Sequence, residues 1–363
     1  MTTTPIDVDD SLDIVRKELE RFYREEKGEA LDRVEVTRVE RRSFSGITFL
    51  SAHTRRGSDR LVVKQICKHP LNAAIVPEPD QAVVEFKILQ RLYAGFADLE
   101  NCSVPRPLLV IPEIDALVIE HVEGHLLADD LRYVRYFASR ARFRELQQRF
   151  YDCGCWLRRL WEVTGIRRGD ATAVQGIVTR CQDRLRMIEQ SGDRRIAHGF
   201  CARARELIEA QVRALADEEI PITGRHGDFG PWNILAHSKG IVVLDFYGYR
   251  EDPLPVDVLK MHTYLEAVAH GVVTSRRRVA ALQERFLAGV GTLPQVPSSL
   301  LTLCEAADRV GNMAGTAAAV SDTTSRRIER RLALRADLRW IERESRKVAG
   351  ARGRKALAMR GRP

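Results

Sequence analysis

Residues 226–246 read HGDFGPWNILAHSKGIVVLDF. Two short apolar runs, "NILA" and "IVVLD", flank "HSKG", the pattern of a tight strand–turn–strand unit. Asp228 lies on the loop before the first run, Asn233 begins it, and Asp245 ends the second. A hairpin brings its open ends together, so Asn233 and Asp245 are expected side by side, with Asp228 about one loop's width away. A purely structural hairpin gains nothing from two acids and an amide there. A hard divalent cation does, because magnesium takes oxygen ligands: one or two carboxylates, substrate phosphates and waters. Pro231 and Trp232 stiffen the loop and keep Asp228 from relaxing onto the metal. That division suits phosphoryl transfer, in which the metal neutralises phosphates and a separate acid orients or receives the proton of an attacking hydroxyl.

The rest of the chain changes period around this unit. Residues 8–26 carry Leu12, Val15, Leu19 and Phe22 on one helical face. "VEVTRVERR", "TFLSAH" and "LVVKQI" then read as strands, with "SFSGI" as a small-residue turn. "PDQAVVEFKILQRLYAGF" has helical period, and "RPLLVIP" and "ALVIEHVEG" read as two further strands meeting across "EID". After Gly124 almost everything except the hairpin is helical. The expected fold class is α+β, with a small antiparallel sheet lobe and a mostly helical lobe. The expected domains are a helical extension at 1–30, a β-rich lobe at 31–123, a helical lobe at 124–350 and a basic, disordered tail at 351–363.

Length and composition fit this division. A chain of 363 residues can bury two cores, and 44% apolar with 30% charged residues is ordinary for a globular protein. No apolar run reaches the length of a bilayer span, and the acidic, helix-patterned start is unlike a secretory signal, so a cytoplasmic location is expected. The cysteines at 67, 102, 153, 155, 181, 201 and 304 show no CxxC or Cys/His ligand spacing and read as reduced thiols. The net charge of +8 is concentrated in residues 326–363, which carry 14 Lys+Arg against 4 Asp+Glu. The basic pI therefore says little about a cleft.

"HGDFGPWNIL" followed by "IVVLDF" resembles the catalytic and metal-binding segments of the aminoglycoside phosphotransferase and choline kinase-like family, relatives of protein kinases. The step from Asp228 to Asn233 equals that of the H-R-D-x-x-x-x-N motif. The resemblance implies a two-lobed protein kinase-like fold, with Asp228 as catalytic acid/base, Asn233 and Asp245 as magnesium ligands, and His226 ordering the loop. Upstream, "LVVK" resembles the strand whose lysine contacts nucleotide phosphates. This implies Lys64 in that role and Glu85 as its helical partner, with Asp80 a nearby rival. "LVIEHVEG" resembles the connector that binds the adenine edge, implying backbone contacts at Glu120, His121 and Val122. Gly46 is a candidate phosphate contact. Asp257, in "DPLPVD", matches the buried aspartate that braces the catalytic loop. The order of motifs agrees over roughly residues 34–270. There are departures: "SFSG" lacks the G-x-G-x-x-G pattern, "DFYG" is one residue longer than D-F-G, and no A-P-E-like end follows. These favour a small-molecule kinase over a protein kinase.

The implied cofactors are ATP or GTP with Mg2+. The implied reaction moves a γ-phosphoryl group to a hydroxyl of a small molecule: a sugar, glycan or amino alcohol. Arg158, Arg159, Arg167 and Arg168 disfavour a polycationic acceptor and favour a neutral or anionic sugar. Some readings stay open. Strand alternation could place Lys64 on either face. An inactive kinase-like binding module would keep the fold without the chemistry. Residues 326–350 read as a terminal helix docked by Ile328, Leu334, Leu338 and Ile341, with 326–363 able to contact anionic membranes; nucleic acid is the weaker alternative. Trp156, Leu160 and Trp161 read as core, and His198, His262 and His270 have no assigned role.

Overall fold

The computed structural model describes residues 8–41, 45–66, 80–197, 199–318 and 324–360. The chain divides into two compact units: Met1–His125 with Ile234–Tyr249, and Leu126–Asn233 with Arg250–Pro363. The hairpin expected in the helical lobe thus groups with the β-rich unit.

The first unit is built on a five-stranded antiparallel sheet in the order Leu31–Arg41, Ser45–Thr54, Gly57–Ile66, Ala116–Glu120, Pro107–Ile111. Along Gly57–Ile66 the alternate residues Leu61 and Val63 join a buried cluster with Leu50, Ala52 and Val118. Val15, Leu19 and Tyr23 of the helix Val8–Glu26 complete that cluster. The N-terminal helix therefore roofs one face of the sheet, and the two-residue repeat of a strand sends Lys64 to the other. The helix Gln81–Gly95 carries buried Glu85, Ile88, Leu89 and Leu92. Gly46, expected in a turn, sits in a strand paired with Arg41 and Gln65; residues 42–44 of that stretch lie outside the described residues.

The hairpin pairs Ile234 with Val243 and His237 with Gly240, and Gly240–Val243 runs parallel to Cys102–Ser103. Gly240 has φ 153, and a Cβ there would lie 2.1 Å from the Asn101 carbonyl oxygen, so the turn needs a glycine. The paired ladder ends one residue after Asn233 and two before Asp245.

The second unit is mostly helical, but it contains a three-stranded sheet that the sequence patterns did not suggest. Its order is Arg250–Pro253, Ile220–Arg225, Ile166–Gly169. The middle strand is buried along its length. The main core packs Leu185, Leu207, Ile208, Leu303 and Met313 with Leu334 and Ile341 of the terminal helix. Trp156, Leu160 and Trp161 are buried, as expected of core residues. "CGC" has a packing reason: a Cβ at Gly154 would lie 2.2 Å from the Phe286 carbonyl oxygen, so this glycine lets Arg140–Thr164 approach Arg276–Val290.

The terminal helix, Thr324–Arg360, continues beyond the expected break at Gly350. Ala, Arg, Lys, Leu and Met fill its last turns, and all are strong helix formers. Arg309 fixes the helix through a 2.8 Å bond to Asp337, with Glu305 and Glu266 also on its guanidinium. His198 and Cys67 lie outside the described residues, and none of the other six cysteines is in a disulfide. Among the described residues no helix is long and apolar enough to cross a membrane.

Candidate active site

In the first unit three charged groups converge. Lys64 Nζ donates to both Glu85 oxygens at 2.8 Å and to Asp245 Oδ1 at 2.5 Å. Lys64 and Glu85 are buried, at 8% and 2% exposure, whereas the Asp245 side chain is 41% exposed. Burial alone would lower the Lys64 pKa, but the Glu85 and Asp245 carboxylates outweigh it and raise it. Burial raises Glu85 in turn, against the opposing pull of Lys64. Asp80 is exposed and makes no bond with its side chain at the helix start, so Glu85 is the partner.

The backbone around Asp245 is held in the same network. Asp245 has φ 67, a left-handed conformation uncommon for a non-glycine residue. The next amide, Phe246 N–H, donates to Glu85 Oε1 at 3.0 Å, and Gln81 donates to the Tyr247 carbonyl at 3.1 Å. Glu85 thus fixes both the lysine and the turn that presents Asp245.

In the second unit the buried strand Ile220–Arg225 leads directly into His226, Gly227 and Asp228. The Asp257 carboxylate accepts the amides of His226 at 2.6 Å and Gly227 at 3.2 Å. Gly227 has φ 91, a glycine-compatible bend. His226 Nδ1 accepts the Asp228 amide at 3.2 Å, and its fully buried ring packs edge-on against Trp156 and Phe229. By accepting that amide on Nδ1, His226 orders the loop.

Asp228 itself is surrounded by donors. Trp232 Nε1 and Asn233 Nδ2 each lie 2.8 Å from Oδ2, and Lys260 Nζ lies 2.9 Å from Oδ1. Burial would raise the Asp228 carboxyl, but Lys260, followed by the Trp232 bond, holds it below the usual carboxylate range. Asn233 Nδ2 also donates to the Asp228 carbonyl at 3.0 Å. Both amide hydrogens are thereby engaged, leaving Oδ1 as the acceptor end. Trp232 packs edge-on against Tyr264 at 4.9 Å, and a Cβ at Gly230 would strike its indole.

No family model matches the sequence, and no curated protein matches it. Solved structures do. A glucosamine kinase in complex with glucosamine, ADP and inorganic phosphate aligns over 90% of this chain and 83% of its own, at 18% identity and TM-score 0.56. The choline kinase of Streptococcus pneumoniae covers 90% of this chain and 99% of its own, at 12% identity and TM-score 0.51. A thermostable mutant of an aminoglycoside phosphotransferase covers 91% and 99%, at 11% identity and TM-score 0.50. The chain has the aminoglycoside phosphotransferase and choline kinase-like fold.

Within this protein kinase-like fold, the expected nucleotide contacts differ in what they offer. The amides of Glu120 and His121 are committed to the carbonyls of Arg106 and Arg60, each at 2.9 Å. These bonds extend the pairing of Ala116–Glu120 with its two neighbouring strands. The His121 ring is different: its Nδ1 is buried without a hydrogen-bond partner, and it packs edge-on to Phe49 at 5.8 Å. Gly46 lies in regular paired strand, which aims no cluster of free amides at a phosphate.

Each unit offers one hard oxygen donor of the kind magnesium takes: a partly exposed carboxylate at Asp245 in the first, and the Asn233 amide oxygen in the second. Among the described residues no group of three His, Cys, Asp or Glu side chains could hold a metal alone. The sequence reading missed Lys260 and gave Trp232 only a stiffening role. Lys260 follows Asp257 by three residues, one helical turn, but that spacing alone does not point to Asp228.

Proposed function

We propose that the chain is an O-phosphotransferase that moves the γ-phosphoryl group of ATP to a hydroxyl of a small molecule. The observation that carries this reading is the buried Lys64–Glu85 pair bonded to Asp245. A lysine held on two carboxylates is a fixed positive charge suited to nucleotide phosphates, while a partly exposed aspartate beside it suits a divalent ion. The solved structures of similar fold are enzymes acting on glucosamine, choline and aminoglycosides, which supports a small hydroxyl compound as acceptor.

In this reading Asn233 and Asp245 hold magnesium, which would neutralise phosphate oxygens when bound. Lys64 orients the nucleotide phosphates, and His121 and Val122 contact the base. Asp228 accepts a hydrogen bond from the acceptor hydroxyl and takes its proton as the new P–O bond forms and the bond to ADP breaks. Trp232, Asn233 and Lys260 keep the Asp228 carboxylate in one orientation, so little reorganisation accompanies reaction. Lys260 beside Asp228 disfavours an ammonium group close to the reacting hydroxyl. The acceptor best matched is a neutral or anionic sugar or glycan.

The test is ADP release with Mg·ATP across a panel of sugars, amino sugars, amino alcohols and glycans. Turnover with at least one hydroxyl compound, lost in Asp228→Ala while nucleotide binding persists, is expected. Undiminished turnover in Asp228→Ala would remove Asp228 from the chemistry. Failure of the wild type to bind Mg·ATP would favour an inactive binding module.

A further inference from the structure

A second charged cluster lies in the helical unit, on residues the proposed reaction does not use. The ladder of the three-stranded sheet sets Arg225 directly opposite Arg250. Like charges directly opposite on antiparallel strands repel. Arg180, from the helix Gln175–Ser191, brings a third guanidinium to the same place. All three meet one oxygen: Asp252 Oδ2 lies 2.9 Å from Arg180 Nη2 and 3.2 Å from the Nε of both Arg225 and Arg250.

That carboxylate does not satisfy them. The Arg180 and Arg250 contacts are hydrogen bonds, but the Arg225 N–H is not directed at the oxygen, and its buried Nε has no hydrogen-bond partner. Neighbouring acids are committed. Glu251 pairs with Arg167 at 2.8 Å, and Asp257, whose charge reaches Arg250, accepts the His226 and Gly227 amides. Burial and then the field of Arg225 pull the Arg180 guanidinium down to about 10, and the same two causes lower Arg250. The cluster stays accessible: the Arg180 and Arg250 side chains are 29% and 43% exposed, while Arg225 forms the buried floor at 9%.

A cluster kept only for stability would favour one arginine per carboxylate, because each extra buried cation costs desolvation. Three guanidinium forks gathered on one carboxylate, two of them partly exposed, are instead the chemistry that receives a tetrahedral oxyanion through paired N–H donors. We propose that Arg180, Arg225 and Arg250 form a binding site for a phosphate-type oxyanion, either free phosphate or the phosphoryl group of a phosphomonoester. The site does not depend on the phosphotransferase reading. Arg225 is three residues before Asp228 in the chain, so an anion seated there would also tie down the strand that leads into the Asp228 loop.

The experiment is thermal unfolding of the full chain titrated with inorganic phosphate, with sodium chloride at matched ionic strength as reference. A saturable rise in the unfolding midpoint is expected for phosphate and not for chloride. Arg250→Gln and Arg180→Gln, both at partly exposed positions, should each weaken the apparent phosphate affinity at least tenfold while keeping the wild-type far-ultraviolet circular dichroism. Phosphorus NMR line broadening of phosphate by the wild type, relieved in either variant, gives a readout independent of stability. A parallel arm with a sugar monophosphate separates the sources: tighter binding than phosphate indicates a phosphomonoester, equal binding the free anion. No saturable shift in the wild type, or an unchanged shift in both variants, overturns the proposal.

Discussion

The Lys260 ammonium lies 2.9 Å from Asp228 Oδ1, one helical turn beyond the aspartate that braces the same loop. Asp257 and Lys260 thus act on the loop from one helix: Asp257 takes its backbone amides, and Lys260 takes its carboxylate. Trp232 lies under the same ammonium, with its ring centre 5.9 Å away. The proposed catalytic acid is held by charge as well as by hydrogen bonds.

This pairing fixes a pH dependence. Lys260 keeps the Asp228 pKa below the ordinary carboxylate value, so the anion is present throughout the neutral range. Activity that needs this anion should be flat near neutrality and fall only in acid, as the pH drops through the lowered pKa. In Lys260→Ala, burial remains and its main opponent is gone, so the acid limb should move to higher pH. A kcat/KM profile of the variant checks it. An unmoved limb would mean that Lys260 does not set the charge on Asp228.

The Lys64–Glu85 pair is buried, so removing one partner is costly. Lys64→Met should leave Glu85 without its counter-charge and destabilise the protein by about 3–5 kcal/mol in urea unfolding. Adding Glu85→Leu should recover part of that loss, because the unpaired buried carboxylate is then gone. If the double variant is as unstable as the sum of the two single ones, the pair is not the source.

Asp245 allows a cleaner test of the magnesium assignment. Its left-handed backbone, φ 67, is one that asparagine tolerates, so Asp245→Asn should keep the turn. What changes is the ligand charge and the bond to Lys64. The magnesium concentration for half-maximal ADP release should rise by at least about 10–100-fold, and chelation with EDTA should abolish wild-type turnover. An unchanged magnesium requirement would take Asp245 out of the metal site.

Much of this arrangement was legible because the signals were local. The run of strands, helix and strands around Lys64 follows from period alone, and the spacing of Asp228, Asn233 and Asp245 marks the loop and hairpin. Other features depend on contacts that no local pattern contains. Lys64 could face either way until Leu61 and Val63 are seen in the cluster roofed by the N-terminal helix. Lys260 reads as an ordinary solvated helix lysine until Asp228 is placed opposite it. The strand Ile220–Arg225 was illegible because Pro221 and Gly224 interrupt it, and its partners, Arg250–Pro253 and Ile166–Gly169, are short and polar. The commitment of the Glu120 and His121 amides came from strand pairing across the sequence, which a connector motif cannot reveal.

Asp257 separates positioning from chemistry. It is 1% exposed, and its two oxygens accept the amides of His226 and Gly227. Asp257→Asn keeps one acceptor oxygen but puts an NH2 group where the other stood, so one buried amide loses its partner and faces a donor. The cost should be about 1–3 kcal/mol of stability. Because Asp257 lies behind the loop rather than at the reacting atoms, the kinetic signature should be a fall in kcat with little change in KM for ATP. The acid limb of the pH profile should stay where the wild type has it, since Lys260 still faces Asp228. A shifted limb in Asp257→Asn would show that Asp257 tunes the charge of Asp228 directly, and its role would then be electrostatic rather than positional.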